Sequence, residues 1–189
     1  MENKISLSDF FYEDQSKGED RKYLTDKGDV HNYIKGYYNS EFTEIREREI
    51  NILEIGIAYS GSIKLWRDWF INSSVFAIEN DKNLISDITG INIIFADAYN
   101  EETLKIIGEI EFDYIIDDGP HTISSQLYSV KNWSKKLKIG GKLIIEDIQN
   151  FDDIELLKKE TPYQNRVIDL RLTSFKRYDD VIFELTKNF

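Results

Sequence analysis

The sequence predicts a doubly wound α/β domain, in which helices cover both faces of a mostly parallel, seven-stranded sheet. From Ile50 onward, short apolar runs alternate with stretches of helical periodicity. The apolar runs are nearly continuous, which is typical of parallel strands buried on both faces. The last two runs are too close in sequence for a crossover helix between them. We therefore expect them to form an antiparallel hairpin at one edge, so that the last strand is antiparallel.

Seven apolar runs are the candidate strands. They are Asn51–Gly56, Ser74–Glu79, Ile91–Phe95, Phe112–Asp117, Lys142–Glu146, Arg166–Leu172 and Val181–Thr186. The stretches between them carry apolar residues three or four positions apart and are the candidate helices. They are Ser62–Ile71, Lys82–Ile88, Glu101–Ile110, Ile123–Leu137 and Ile154–Glu160. We expect Gly140-Gly141 to close the fourth of these helices.

The first 49 residues have a different pattern. Met1–Lys22 is mostly polar and irregular, whereas Asn32–Arg48 has tyrosines at four-residue spacing and is a candidate helix. We interpret residues 1–49 as an N-terminal cap or lid segment laid over residues 50–189, within one structural domain.

Composition narrows the class of protein. A chain of 189 residues with 41% hydrophobic residues has the size of one domain and enough apolar side chains for a core. With no cysteine, a disulfide framework, a zinc–thiolate site and a cysteine nucleophile are excluded. A net charge of −11 argues against nucleic-acid and membrane-surface partners. Because there is also no long apolar span or signal core, we expect a soluble, cytoplasmic protein.

Acidic residues lie at or near the carboxyl ends of five of the predicted strands. They are Glu54, Glu79, Asp97, Asp117-Asp118 and Glu146-Asp147. His121, one of only two histidines, follows the fourth strand. In doubly wound sheets, ligands bind beyond the carboxyl ends of the strands, so these side chains should meet. Because clustered carboxylates repel one another, a bound cation or a polyhydroxyl ligand is expected there; the alternative is a solvated acidic rim.

The loop after the first strand is rich in small residues. Gly56, Ala58, Ser60 and Gly61 would let a ligand approach the backbone, next to the start of a helix. The loop is not the G-x-G-x-x-G of dinucleotide sites, and no arginine follows the second strand to bind a phosphate. The loop therefore differs from the usual dinucleotide site.

The acidic residues near this loop could each contact a different part of a nucleoside ligand. Glu54, within the first strand, suits a cationic amino group. Glu79 follows Gly56 by 23 residues and is placed to accept hydrogen bonds from ribose hydroxyls. Asp97 would face an adenine end.

The pattern of Glu54-x-Gly56, Glu79 and Asp97 resembles the S-adenosylmethionine site of class I methyltransferases, which have a Rossmann-like fold. A more specific resemblance is to the metal-dependent sugar O-methyltransferases of macrolide biosynthesis and to the cephalosporin-hydroxylase-like proteins. It is carried by Thr25-Asp26-Lys27-Gly28 with His31 and Tyr33, and by the segments LEIG, SGSIKLWRDWF, IIDDGPH and GGKLIIEDI.

The resemblance implies a set of site residues. The implied ligands of S-adenosylmethionine are Glu54, Gly56, Ala58, Tyr59, Ser60, Glu79, Asp97 and Asp117. Asp118, Glu146 and Asp147 would hold Mg²⁺, and His121 would be the general base. The implied function is methyl transfer to a hydroxyl of a small polyhydroxylated acceptor, with a sugar as the expected class and a homo-oligomer as a possible assembly.

The residue chemistry agrees with these implied roles. Carboxylates suit a hard divalent ion, and the lack of cysteine disfavours zinc or copper. A bound ion lowers the pKa of a hydroxyl, and a histidine is suited to remove its proton near neutral pH. His31, Tyr33 and Tyr37 of the N-terminal segment would line the wall of the pocket.

Two other functions stay open at this point. A nicotinamide-dependent oxidoreductase could use the same sheet, although the loop lacks its glycine pattern. A non-catalytic relative would bind S-adenosylmethionine without methyl transfer. The three tryptophans are expected in the core, and Asp179-Asp180 is expected to be a solvated turn.

Overall fold

A single seven-stranded sheet organises the chain. The computed structural model describes residues 5–84, 88–173 and 175–189, without the side chain of Leu84. The strands are β1 (Ile50–Ile55), β2 (Ser73–Glu79), β3 (Asn92–Phe95), β4 (Phe112–Asp117), β5 (Leu137–Ile145), β6 (Gln164–Asp169) and β7 (Val181–Thr186). Their order is β3-β2-β1-β4-β5-β7-β6. Strands β1 to β5 are parallel, and β7 is antiparallel to both β5 and β6. The predicted fold class is confirmed.

Short helices connect the strands. They are α1 (Leu7–Gln15), α2 (Asn39–Phe42), α3 (Gly61–Trp69), α4 (Glu101–Ile107), α5 (Ile123–Lys131) and α6 (Asp153–Glu160). A π-helical turn, Ile34–Tyr38, leads directly into α2. The predicted helix Lys82–Ile88 begins with a 3-10 turn, Lys82–Leu84, and its residues 85–87 lie outside the described residues. Across the described ranges, no helix has both the length and the apolar character that a membrane crossing needs.

Side-chain caps explain where several helices begin. The Thr122 side chain accepts a hydrogen bond from the backbone N–H of Ser125 at the start of α5, and Asn100 does the same for α4. Ser6 caps α1, which places Leu7 and Phe11 on one buried face. The prediction that the first 22 residues are irregular is therefore wrong over α1. The Ser6 cap and the four-residue spacing of Leu7 and Phe11 are the features of the sequence that indicate this helix.

The predicted extents of α5 and β5 are wrong in one respect. Helix α5 stops at Lys131, and β5 begins at Leu137, where it pairs with Phe112 of β4. Gly140-Gly141 therefore lies inside β5 instead of closing a helix. The reason is tertiary: a Cβ on Gly141 would lie 2.8 Å from the Phe112 carbonyl oxygen, so this close strand approach requires glycine.

The N-terminal segment shares the hydrophobic core on one side of the sheet. Phe42 of α2 packs against the rings of Tyr38, Trp66, Phe70 and Tyr114, with ring centroids 5.0–5.3 Å apart. These contacts join α2 to α3 and β4. All three tryptophans are buried, as predicted. The predicted helix Asn32–Arg48 is shorter than expected, because its helical turns end at Phe42.

Phe42→Ala tests this shared core. Removing a fully buried aromatic ring is expected to lower the free energy of unfolding by about 3–5 kcal/mol, in one cooperative transition. Urea denaturation followed by circular dichroism measures it. Ile139→Ala, at a side chain that is 76% exposed, is the control and should change stability by less than about 0.5 kcal/mol. Unchanged stability in Phe42→Ala, or a separate early transition, would contradict a shared core.

Candidate active site

A cavity of about 440 Å³ opens beyond the carboxyl ends of β1 to β4, where the strand order reverses. This is the size and the position expected of a small-molecule site in a doubly wound fold. Five of the predicted site residues line it: Gly56, Ala58, Glu79, Asp97 and Asp118. Asn80, Tyr99 and Pro120 also line it, although the sequence did not single them out as ligand-binding residues.

The loop after β1 has a strained backbone. Gly56 has φ +77°, and a Cβ there would lie 2.3 Å from the Asp118 carbonyl oxygen, so only glycine fits between the two loops. Ala58 and Ser60 have φ of +37° and +65°, a region that residues with a side chain rarely adopt. Such conformations cluster at functional sites, where surrounding contacts hold them.

Glu79 fixes this loop from the end of β2. One carboxylate oxygen accepts a hydrogen bond from the Ile57 backbone N–H at 3.0 Å. The other accepts from the backbone N–H groups of Asn80 and Asp81, at 2.8 and 3.0 Å. Glu79 therefore sets the shape of the cavity wall that it also lines.

Four of the predicted cofactor residues lie outside the cavity lining. They are Glu54, Tyr59, Ser60 and Asp117. The Tyr59 side chain is exposed. Asp117 is buried, and its carboxylate accepts hydrogen bonds from Tyr99 Oη at 2.6 Å and from Ser129 Oγ at 2.5 Å. These bonds tie the end of β4 to α5 and to the cavity wall.

Asp118, His121 and Asp147 converge at the edge of the cavity. One ligand atom from each lies within 4.8 Å of the others, a spacing that suits a metal ion. His121 Nε2 is 3.8 Å from Asp118 Oδ1 and 3.5 Å from Asp147 Oδ2. His121 and Asp147 both have positive φ, +54° and +52°, so the backbone is strained at these two residues as well.

Glu146 has other partners. Its carboxylate contacts the Lys27 ammonium and accepts a hydrogen bond from Tyr38 Oη at 2.5 Å. Lys27 Nζ also lies 2.6 Å from Asp118 Oδ2 and 3.4 Å from Glu54 Oε1. Burial raises the pKa of Glu146 well above its usual range, because the Lys27 ammonium only partly offsets the loss of water.

Glu54 is completely buried. Burial raises its pKa to about 7, although the nearby Lys27 ammonium lowers it. Among the described residues, neither carboxylate oxygen has a hydrogen-bond partner. A buried carboxyl with unused acceptor sites is costly unless it is protonated or meets a cation.

The second histidine approaches Asp147 from the N-terminal segment. His31 Nδ1 lies 2.7 Å from Asp180 Oδ1 and 3.5 Å from Asp147 Oδ1. Tyr33 stacks on His31 and donates its hydroxyl to Asp147 at 2.5 Å. The prediction that Asp179-Asp180 is a solvated turn is wrong, since both residues are buried. The reason is the pairing of Asp180 with His31, which comes from a distant part of the chain.

No family profile matches the chain. The chain is 24% identical over 136 residues to the 8-demethyl-8-(2-methoxy-alpha-L-rhamnosyl)-tetracenomycin-C 3'-O-methyltransferase of Streptomyces olivaceus, which covers 67% of this chain and 35% of that protein. It is 29% identical over 138 residues to the L-olivosyl-oleandolide 3-O-methyltransferase of Streptomyces antibioticus, with the same coverage.

Solved structures agree. The methyltransferase MycE from the mycinamycin biosynthetic pathway, in complex with Mg, SAH and mycinamycin VI, superposes with a TM-score of 0.63 at 28% identity. The superposition covers 77% of this chain and 40% of MycE. The chain is similar in sequence and in fold to sugar O-methyltransferases. A second MycE crystal form, with Mg and SAH, covers 98% of this chain and 56% of its own, at a TM-score of 0.71 and 22% identity.

The resemblance stated from the sequence is confirmed, together with the class I methyltransferase fold. The chain spans about a third of the length of the curated relatives that it matches. The similarity therefore supports a function but leaves the activity of this chain to be proposed from its own residues.

The raised pKa of Glu54 predicts how stability depends on pH. Between about pH 4.5 and 7, the folded protein holds a proton on Glu54 that the unfolded chain has lost. The free energy of unfolding should therefore fall as pH rises through this range, by up to about 1.4 kcal/mol per pH unit. Urea denaturation in the presence of a chelator measures the slope.

Glu54→Gln should reduce this slope, because glutamine does not titrate, and the part due to Glu146 and Asp147, whose pKa values are also raised, should remain. Glu155→Gln, at an exposed position of α6, is the matched control and should keep the slope of the unmodified protein. If the Glu54→Gln and unmodified proteins have equal slopes, Glu54 does not carry the proton assigned to it.

Proposed function

We propose that the chain is an O-methyltransferase that uses S-adenosylmethionine and Mg²⁺ and acts on a hydroxyl of a small polyhydroxylated acceptor, with a sugar as the acceptor class. One observation carries the proposal: the convergence of Asp118, His121 and Asp147 at the edge of the cavity lined by Gly56 and Glu79. A cofactor pocket and a metal-and-base cluster thus adjoin each other.

The cavity suits S-adenosylmethionine in charge and in shape. Its charged lining residues are Glu79, Asp97 and Asp118, and none of the lining residues in the described part of the chain is basic. S-adenosylmethionine carries a sulfonium and an ammonium group and no phosphate, whereas a nicotinamide dinucleotide carries a pyrophosphate that acidic walls would repel. In the proposed complex, Glu79 would accept hydrogen bonds from the ribose hydroxyls, and Asp97 would lie at the adenine end. Gly56 and Ala58 would allow the cofactor to approach the backbone closely.

Asp118, Glu146 and Asp147 are the proposed ligands of the divalent ion. Carboxylate oxygens are the donors that Mg²⁺ prefers. Glu146 and Asp147 are buried, and burial is the main cause of their raised pKa values, which favours a bound cation. When bound, the ion lowers the pKa of an acceptor hydroxyl, and S-adenosylmethionine supplies the methyl group.

His121 is the proposed general base. Its imidazole lies beside Asp118 and Asp147, so an acceptor hydroxyl near these carboxylates would be within its reach. His121 accepts the hydroxyl proton, since an imidazole is suited to this near neutral pH. Tyr33 and His31 contact Asp147 through Oδ1, whereas His121 lies beside Oδ2.

The proposal also covers the setting of the reaction. The net charge of −11 supports a function without nucleic-acid or membrane-surface partners. The cytoplasm is the proposed location. Residues 1–49 act as a cap over residues 50–189, and their contacts with Asp118, Glu146 and Asp147 support this role.

Cofactor binding can be separated from dinucleotide binding by thermal shift. S-adenosylhomocysteine at about 100 times its dissociation constant should add roughly 2.7 kcal/mol of stability, a rise of about 5–10 °C in Tm. NAD at the same concentration should have little effect. Each ligand is tested with Mg²⁺ and with a chelator. A larger shift with NAD than with S-adenosylhomocysteine would favour the oxidoreductase alternative and contradict the proposal.

Catalysis is tested with His121→Asn. Loss of the base should lower the rate of methyl transfer from labelled S-adenosylmethionine to sugar acceptors by about 10²–10⁴-fold. The Tm rise with S-adenosylhomocysteine should persist, which shows that the pocket is intact. If His121→Asn keeps full activity, the assignment of the base is wrong. If the unmodified chain binds cofactor but methylates no member of a broad acceptor panel, it is a non-catalytic relative.

A further inference from the structure

Lys27 is a buried cation at the centre of the candidate site. It belongs to the N-terminal segment, and its side chain is 1% exposed. Its ammonium lies among Glu54, Asp118 and Glu146, at the carboxyl ends of β1, β4 and β5. A lysine is ordinarily an ammonium near neutral pH, and here its charge is paired with these three carboxylates.

The ammonium contacts two of the carboxylates that the proposed metal site needs. It lies 2.6 Å from Asp118 Oδ2 and directly contacts Glu146 Oε2. An ion held by both carboxylates would have to lie close to Nζ. Two cations that share the same pair of oxygens repel each other at short range in a buried site.

Glu54 offers the ammonium a second position. Its nearer oxygen is 3.4 Å from Lys27 Nζ, and neither of its oxygens has a hydrogen-bond partner among the described residues. A small rotation of the flexible lysine side chain would bring the ammonium into hydrogen-bond distance of Glu54 and away from Asp118 and Glu146.

We propose that Lys27 is an internal competitor of the divalent ion. The ammonium and the ion compete for Asp118 and Glu146, and Glu54 retains the ammonium when the ion binds. This inference rests on the proposed metal site. It makes Lys27 a positioning residue that weakens metal affinity and keeps Glu146 paired while no ion is bound.

The inference predicts opposite effects of two substitutions on metal affinity. Lys27→Met removes the competing charge at similar side-chain length, so the affinity for Mn²⁺ should rise at least tenfold. Glu54→Gln removes the position that retains the displaced ammonium, so the affinity should fall several-fold. The full chain is titrated with Mn²⁺ alone, without cofactor or acceptor, and free Mn²⁺ is measured by electron paramagnetic resonance.

Two further variants separate competition from a general effect of charge. Lys142→Met removes a lysine that pairs with Glu41 and Glu184, outside the candidate site, and should leave Mn²⁺ affinity unchanged. In the double variant Lys27→Met/Glu54→Gln, the affinity should equal that of Lys27→Met. If Glu54→Gln weakens binding equally in both backgrounds, Glu54 acts by its charge alone and the inference is wrong.

Stability supplies a second readout. With a chelator, Lys27→Met should have a lower Tm than the unmodified chain, because buried carboxylates lose their cation, and Mn²⁺ should restore more Tm in the variant. If Lys27→Met does not fold, Glu54→Gln carries the test, and unchanged or tighter Mn²⁺ binding in that variant overturns the inference.

The outcomes distinguish the inference from the proposed function. If the unmodified chain binds Mn²⁺ and Lys27→Met binds it equally or more weakly, only the competition is wrong, since Lys27 then packs or organises the site. If neither protein binds Mn²⁺, both the metal site and the competition fail. If only Lys27→Met binds, the competition is supported in its strongest form.

Discussion

Several carboxylates are buried together at one edge of the sheet, and their charge has to be compensated for the chain to fold as it does. Glu54, Glu146 and Asp147 are buried, and Asp118 beside them is partly buried. An isolated buried carboxylate costs several kcal/mol unless it is protonated, hydrogen-bonded or paired. The compensating groups come largely from the N-terminal segment: Lys27, His31, Tyr33 and Tyr38. The segment is therefore as much a part of the site as the strand ends are.

The same segment is held by apolar packing on the flank of the sheet, and this packing gives the polar groups their position. Tyr38 shows the link, because its ring packs against Phe42 and Trp66 while its hydroxyl donates to Glu146. Burying the ring stabilises the core, and the phenol then reaches the carboxylate without further ordering. Gly61 contributes from α3, since a Cβ there would lie 1.8 Å from the Leu24 carbonyl oxygen. Core and site thus depend on one arrangement of the segment.

The sequence predicts the features of this fold that depend on local patterns of residues. Each strand is predicted by an apolar run of a few residues, and the acidic residues stand at the ends of these runs. The strands Phe112–Asp117 and Val181–Thr186 have the predicted bounds. The contacts of Lys27 with Asp118 and Glu146, and of His31 with Asp180, join residues more than 90 positions apart, and no local pattern indicates such pairing. The roles predicted for Glu146 and His121 remain predictions, since their geometry supports a metal-and-base site without testing it.

Glu184 is a buried carboxylate away from the candidate site, and its charge is balanced by nearby donors. Glu184 of β7 lies 2.8 Å from Arg166 Nε and 2.5 Å from the Tyr37 hydroxyl, with Lys142 nearby. Although burial opposes ionisation, these donors keep the pKa of Glu184 below its usual value. The buried acids of the candidate site have raised pKa values instead. The chain can therefore stabilise the charged form of a buried carboxylate, whereas the buried carboxylates at the cavity have fewer positive partners. Such under-compensation is costly for folding alone and is the arrangement expected where a cationic ligand supplies the remaining charge.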